Sequence, residues 1–405
     1  MVLKGNCVIA QSGGPTPVIN NSLYGLIEEA WKKEEIAALY GALYGITGLL
    51  KERLIDLKKE DIAVLKGLRY TPGAALGSCR HRLKAEEYPR LLEIFKRHNI
   101  RYFFYIGGND SMDTVYKINR LAQEEGYEMR VVGVPKTIDN DLPGTDHCPG
   151  YGSAAKYIAS VVRETGLDLK GMLSQNRVTL LETMGRNTGW LAAAAMLAKR
   201  SPEEAPHLIY LPERPFNIDK FLSDVKVVYQ EYGYAYVVVA EGLKDINGNY
   251  IVAEESKDVF GHRQLGSGLA AYLKNAIEGS LPVKARYIVP STAQRSSMLY
   301  ASRTDAEEAY LVGKEAVSLA CQGLSGIMVT LEREKGSPYL CRVGYIDVAQ
   351  VANQEKSVPL EWITPEGNFL TRDFIEYALP LIQGEIQVPF AGGLPDYAKL
   401  NVERK

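Results

Sequence analysis

Five cysteines in 405 residues, Cys7, Cys79, Cys148, Cys321 and Cys341, are odd in number and widely scattered. They form no CxxC pair, which excludes a disulfide framework or a paired-cysteine zinc site and predicts a reducing, cytoplasmic setting. Long apolar runs are missing too: the longest, Trp190 to Ala198, is far short of the roughly 20 residues that cross a bilayer. The opening MVLKGNCVIA has neither the basic nor the apolar region of a leader peptide, so no membrane association is expected. Nor is there an excess of one charge. Lys plus Arg number 47 against 49 for Asp plus Glu, a formal net charge of −2, and the basic surplus needed to bind a nucleic-acid backbone is absent. Neither GxxxxGK nor GxGxxG occurs, which removes the two commonest nucleotide-binding patterns.

What is present is an ordinary globular composition, 46% hydrophobic and 24% charged, on a chain long enough for two or three lobes. Short apolar, β-rich runs alternate with helical patterns, as parallel βαβ units require. The runs are Cys7–Ala10, Ala37–Tyr40, Tyr102–Ile106, Arg130–Val134, Val178–Glu182, Leu208–Leu211 and Tyr234–Ala240. Between them lie the helical stretches Asn20–Lys33, Tyr88–His98, Asp113–Glu124, Ser153–Thr165 and Gly189–Lys199. An α/β fold with parallel sheets follows. A Pro/Gly-rich turn at Pro149–Gly152 suggests a first lobe of 1–150 and a second of 151–290; helix-like Glu307–Ala320 then returns the chain to the first lobe, which regains about 291–340, and 341–405 is a C-terminal extension.

In open α/β sheets, ligands bind where strands end, so the turns there carry the functional argument. CVIAQSGGPTPVIN reads as strand, turn and helix start, with Gly13 and Gly14 letting backbone N–H groups approach an anion, although a plain structural turn reads equally well. FFYIGGNDSMDT repeats the pattern with Gly107, Gly108, Asn109, Asp110 and Ser111; Asp110 also suits the dipole of a helix N-terminus. GVPKTIDNDLPGTD is the most informative segment, because three carboxylates and a lysine crowd one turn after an apolar strand. Asp139 can take a proton from an attacking hydroxyl, Asp141 can orient that base or help hold Mg²⁺, and Lys136 can neutralise phosphate; the bland alternative is a solvated loop of Asx turns. Arg80, Arg177, Arg186, Arg286 and Arg295 sit near strand ends and glycine turns, where planar guanidinium groups clamp phosphate oxygens, although each alone suits a surface ion pair. Glu241, after YAYVVVAE, can accept sugar hydroxyls or cap the next turn.

These residues carry a family resemblance. SGGP at 12–15, LGSCR at 76–80, GGNDS at 107–111, PKTIDND at 135–141, MGRNTG at 184–189, AEG at 240–242 and QR at 294–295 stand in an order and spacing similar to those of the 6-phosphofructokinases. The resemblance implies two Rossmann-like lobes with the active site in the cleft between them, the phosphoryl donor on the first lobe and fructose 6-phosphate on the second. It also implies Asp139 as the base for the sugar 1-hydroxyl, supported by Asp141 and Thr137. Arg186, with the Met184 and Gly185 backbone, would contact the sugar phosphate and the transferring group, and Glu241 the sugar hydroxyls. Arg295 would bind the 6-phosphate from the same chain, and Arg177 and Arg286 from a neighbour, which requires a homo-oligomer of at least two chains. Gly13, Gly14, Arg80, Gly108, Asn109, Asp110, Ser111 and Lys136 would form the donor site.

Members that use ATP have glycines where this chain has Asp110 and Lys136, so the sequence resembles the pyrophosphate-dependent branch, whose PKTIDND form it shares. Mg²⁺ is the expected cofactor, with Asn109, Asp139 and Asp141 as candidate ligands; Asn109 replaces the family's usual aspartate, and Thr292 replaces a histidine of the ATP-dependent sugar-phosphate pocket. The rival readings are an ATP-dependent 6-phosphofructokinase and a non-catalytic sugar-phosphate sensor, the latter disfavoured by the presence of Asp139, Asp141 and Arg186.

Overall fold

A strand covered on both faces needs apolar side chains at every position, and the central strands of this chain meet that condition. The computed structural model describes residues 3–257, 263–265, 268–336 and 338–402. Its principal strands are β1 (Gly5–Gln11), β2 (Ile36–Ala42), β3 (Leu54–Asp56), β4 (Ile100–Gly107), β5 (Arg130–Pro135), β6 (Val178–Thr183), β7 (Leu208–Tyr210), β8 (Ala235–Ala240), β9 (Ala253–Lys257), β10 (Arg263–Leu265), β11 (Ala285–Ile288), β12 (Ile327–Arg333) and β13 (Cys341–Asp347). The chain divides into two compact units, the first comprising residues up to Ser153, Arg295–Glu355 and Gly384 onward, the second Ala154–Gln294 and Lys356–Gln383.

The first unit holds a seven-stranded sheet of order β13-β12-β5-β4-β1-β2-β3, with antiparallel pairing at both edges and parallel pairing between. Successive residues of β1 face opposite sides, Cys7 and Ile9 entering one apolar cluster and Val8 and Ala10 the other. Helices Ile19–Trp31 and Arg303–Cys321 cover the first face. They cross backbone to backbone: a Cβ on Gly25 would overlap the Tyr310 carbonyl, and one on Gly313 that of Ser22.

A four-stranded, all-parallel sheet of order β11-β6-β8-β7 forms the second unit. Val178, Leu180, Val237 and Val239 project from it into a cluster completed by Phe221, Val225, Leu273 and Ile277 of helices Ile218–Tyr232 and Leu269–Ser280. The first of these helices starts where Asn217 Oδ1 accepts the Lys220 N–H at 2.9 Å and ends at Gly233, whose φ of 77° reverses the chain.

Two expectations are corrected. The stretch from Gly189 to Lys199 is helical only over Trp190–Ala194, then tightens to a 3-10 turn over Ala195–Ala198; every residue from Trp190 to Ala198 is buried, so packing rather than an amphipathic pattern sets its form. Residues 341–405 are not a separate extension. Residues 341–355 and those from 384 belong to the first unit, where β13 is an edge strand, and 356–383 belong to the second. Among the described residues no helix is long and apolar enough to cross a membrane.

Candidate active site

The turn after β1 is held from beneath by backbone bonds, Ser12 N–H donating to Ile106 O at 2.9 Å and Gly13 N–H to Cys79 O at 3.1 Å. Glycine is required at the first central position and leaves room for a guanidinium at the second. Gly13 has a φ of +74°, and a Cβ there would lie 3.2 Å from Lys136 Nζ; one on Gly14 would lie 2.8 Å from Arg295 Nη1. Lys136 Nζ donates to Gly14 O at 2.7 Å. The fold thus brings together the first glycine turn, the lysine after β5 and an arginine far along the chain. Arg295, expected at the sugar phosphate, has its guanidinium beside the first glycine turn.

Lys136 is buried, 3% exposed, and burial pushes its pKa down from 10.5 to about 8 against the pull of Asp139 and Asp141, with Arg295 and Arg80 lowering it further. A lysine so placed holds its proton loosely until an anion arrives.

The second glycine turn follows β4, whose Gly107 is in register with Pro135 of β5. Lys136 N–H donates to Gly107 O at 3.1 Å, tying this turn to the acidic loop. A Cβ on Gly107 would overlap the buried Ser111 side chain. Helix Asn109–Glu124 starts here, with Asp110 exposed in its first turn. Asn109 looks elsewhere: its Oδ1 accepts the Asn353 N–H at 2.8 Å and its Nδ2 donates to Gln354 O.

In the acidic loop Thr137 Oγ1 accepts the Asp139 N–H at 3.0 Å. Asn140 is buried with a φ of 55°, and its Oδ1 accepts the Cys148 N–H at 2.9 Å. That left-handed, anchored residue sits between half-buried Asp139 and Asp141 and sets the direction of both. The third carboxylate has a different task. Asp146 Oδ1 meets His147 Nδ1 at 2.8 Å and Arg333 Nη2 at 3.0 Å, while His147 Nε2 meets Glu308 Oε2 at 2.7 Å. Burial alone would depress the histidine, but Glu308 and Asp146 together hold it protonated, with a pKa of about 9. This network pins the end of the loop.

In the second unit the turn after β6 is set by acceptors. Met184 N–H donates to Gln294 Oε1 at 3.0 Å, Gly185 N–H to Glu241 Oε1 at 3.3 Å, and Gly189 N–H to Glu213 Oε1 at 2.8 Å. Glu241 follows β8, its own N–H donating to Thr183 O at 3.0 Å, so the MGRNTG turn and Glu241 lie side by side at the carboxyl ends of neighbouring parallel strands. Arg177 and Arg286 lie at the other end of this sheet. Arg177 precedes Val178, the first residue of β6, with its Nη1 on Gly233 O at 3.2 Å, and Arg286 is exposed on the edge strand opposite Thr179. A strand rise of about 3.3 Å per residue puts them on the order of 15–25 Å along the sheet from Glu241.

A sequence model described as phosphofructokinase matches residues 6–320. The chain belongs to the phosphofructokinase family. It is 44% identical over 402 residues to a pyrophosphate–fructose 6-phosphate 1-phosphotransferase of Methylococcus capsulatus, covering 98% of this chain and 96% of the relative. A protein of the same name from Xanthomonas campestris is 44% identical over 405 residues, covering 98% and 96%. Among solved structures, the pyrophosphate-dependent phosphofructokinase of Marinobacter aquaeolei superimposes with a TM-score of 0.90 at 44% identity, covering 98% of this chain and 97% of that one. Although the family model ends at 320, these relatives share the phosphofructokinase chain's C-terminal region as well.

Several residues that shape these turns escaped the sequence reading. Asn140 and Gln294 lie inside quoted motifs beside charged residues that drew the argument, whereas Glu213 and Asn353, and His147 toward Glu308, gave no signal, since these partners are far away in sequence.

Proposed function

We propose that this phosphofructokinase transfers a phosphoryl group from pyrophosphate to the 1-hydroxyl of fructose 6-phosphate, yielding fructose 1,6-bisphosphate and orthophosphate, and that the reaction runs readily in both directions. Buried Lys136 against the Gly13–Gly14 turn carries this reading. Lys136 and Asp110 stand where members that use ATP have glycines, and the lysine's loosely held proton and the neighbouring Arg80 and Arg295 suit a compact, highly charged donor.

The chemistry asked of the chain is positioning and charge neutralisation. The glycine turns at Gly13–Gly14 and Gly108–Ser111 cradle the donor, with Lys136 and Arg80, the Gly13 N–H itself going to Cys79 O. Asp139 takes the proton of the 1-hydroxyl as that oxygen bonds to phosphorus and the bridging P–O bond breaks, its electrons leaving with orthophosphate. Thr137 fixes the Asp139 backbone, Arg186 and Arg295 neutralise the transferring group, and Glu241 accepts sugar hydroxyls.

Mg²⁺ suits the donor set. Asp139 and Asp141 offer hard carboxylate oxygens on either side of anchored Asn140, and one or two carboxylates with substrate phosphates are this ion's usual protein ligands. When bound, it would screen charge on the donor oxygens. Asn109 is not counted among the ligands, because both ends of its amide are engaged. We also place the enzyme in the cytoplasm as a homo-oligomer, since the distance of Arg177 and Arg286 from Glu241 leaves them for a sugar phosphate on a neighbouring chain.

The test is product identification. With fructose 6-phosphate, pyrophosphate and Mg²⁺, phosphorus NMR should show the 1,6-bisphosphate and orthophosphate appearing in equal amounts; release of orthophosphate without the bisphosphate would reject the transfer.

A further inference from the structure

Beyond residue 340 the chain contains a segment for which the transfer reaction has so far needed no role. After β13 it folds back tightly, Asp347 Oδ1 accepting the Ala349 N–H at 2.9 Å. Val348 and Val351 are buried in the same apolar cluster as Met112, Val115 and Ile118 of helix Asn109–Glu124. Asn353, with a φ of 60°, then turns the chain so that its backbone N–H donates to Asn109 Oδ1 at 2.8 Å, and the Gln354 carbonyl accepts from Asn109 Nδ2. One helical turn further on, Asn353 Nδ2 donates to Asp113 Oδ1 at 3.2 Å, and Asp113 Oδ2 pairs with Lys117 at 2.6 Å. Residues 347–354 therefore form a strap, plugged by two valines and pinned to the first residue of the helix and to the residue one turn later.

The pin explains the amide at 109. Its partners are one backbone donor and one backbone acceptor, and asparagine alone among side chains of this length offers both an acceptor and a donor. An aspartate there would keep the bond from Asn353 N–H, but it has no hydrogen for the Gln354 carbonyl and would set negative charge against that oxygen.

We propose that Asn109 and Asn353 are positioning residues for the phosphoryl donor: the strap holds the amino-terminal turn of helix Asn109–Glu124, and with it the Gly108–Ser111 amides, in the geometry that binds pyrophosphate. This inference rests on the donor reading above. A helix N-terminus otherwise frays, and amides that must be ordered at the moment of binding bind more weakly than amides already in place.

The experiment uses the full chain with Asn109→Asp, Asn109→Ala, Asn353→Ala and Asn353→Gly, measuring kcat, the KM of each substrate, Mg²⁺ dependence and amide hydrogen exchange at Gly108–Met112. Losing one pinned bond in Asn109→Asp, both in Asn109→Ala, and the Asp113 bond together with an easy left-handed backbone in Asn353→Ala, should raise the KM for pyrophosphate about tenfold or more, and leave that for fructose 6-phosphate within about twofold. Asn353→Gly keeps the left-handed backbone but not the amide bonded to Asp113, so it should fall between alanine and the parent, recovering only the part of the loss that comes from the backbone. An unchanged pyrophosphate KM in Asn353→Ala overturns the proposal, as does an Asn109→Asp enzyme that needs less Mg²⁺ at unchanged pyrophosphate KM. Should the unaltered enzyme give no product with pyrophosphate, the donor reading fails by itself. The strap is then judged by exchange, which should quicken at Gly108–Met112 in Asn353→Ala; unchanged exchange overturns it, and if the Asn109 variants do not fold, the two Asn353 variants decide alone.

Discussion

Replacing Lys136 by methionine removes a buried charge while keeping a side chain of similar length. The folded protein holds that lysine's pKa at about 8 against 10.5, and the difference corresponds to roughly 3 kcal/mol by which burying the ammonium opposes folding at neutral pH. Against this stands the lost bond from Nζ to Gly14 O, 2.7 Å long, which leaves a carbonyl without its donor at a cost of about 1–2 kcal/mol. Lys136→Met should therefore be more stable than the parent by about 1–2 kcal/mol at pH 7. The sign of the pH dependence is fixed: the burial penalty falls on the protonated lysine alone, so it is absent above 10.5, grows as pH falls and is complete below about 8, and the variant's advantage should shrink as pH rises from 8 toward 10.5. Denaturant unfolding across that range measures it. In the same variant the KM for pyrophosphate should rise about a hundredfold or more, because a buried cation facing an anion is worth far more than an exposed one. Calorimetry in buffers of different ionisation enthalpy should show proton uptake on pyrophosphate binding at pH 8.5 in the parent and none in the variant. A less stable variant at pH 7, or one with an unchanged pyrophosphate KM, would refute the reasoning.

Asp139→Ser should lower kcat by about 10²–10⁴ while the KM for fructose 6-phosphate changes little, since a base acts in the transition state; near-normal turnover removes the role. Asp110→Gly, alone or with Lys136→Gly, should raise the rate with ATP relative to pyrophosphate, and an unchanged ratio in both variants would discard the steric account of donor choice. His147→Gln should cost about 3–5 kcal/mol of stability at pH 7 by leaving buried Glu308 without its cation, while Asp146 keeps Arg333. Because the His147 pKa is raised from 6.5 to about 9, its contribution is complete below 6.5 and lost as pH rises through 9. The gap between parent and variant should close there, and a gap independent of pH contradicts the network's charge.

The alternation of strands and helices was legible because parallel strands covered on both faces read as unbroken apolar runs, as in β4 and β8. Glycine turns and the acidic loop were legible for the opposite reason, since small and charged residues at strand ends stand out against those runs. Strand β11 was missed: Arg286 and Tyr287 face solvent at a sheet edge, so ARYI shows no run. Helix Ile218–Tyr232 buries only Phe221 and Val225 fully, too thin a stripe to register. Pairings made by the tertiary fold were out of reach altogether. Nothing near Gly14 points to Arg295, and nothing near Asp146 points to Glu308 or Arg333, so the third carboxylate of the loop read only as one more charge in the cluster, whereas its partners make it structural. The strap was hidden for the same reason, because its anchor on Asn109 lies 244 residues away.

Initial rates with pyrophosphate and with ATP, at equal fructose 6-phosphate and saturating Mg²⁺, test the central claim most directly. Turnover with pyrophosphate at least about a hundredfold faster than with ATP is the predicted result, the donor selectivity expected where Lys136 and Asp110 fill the nucleotide's space. Turnover with ATP alone would contradict it.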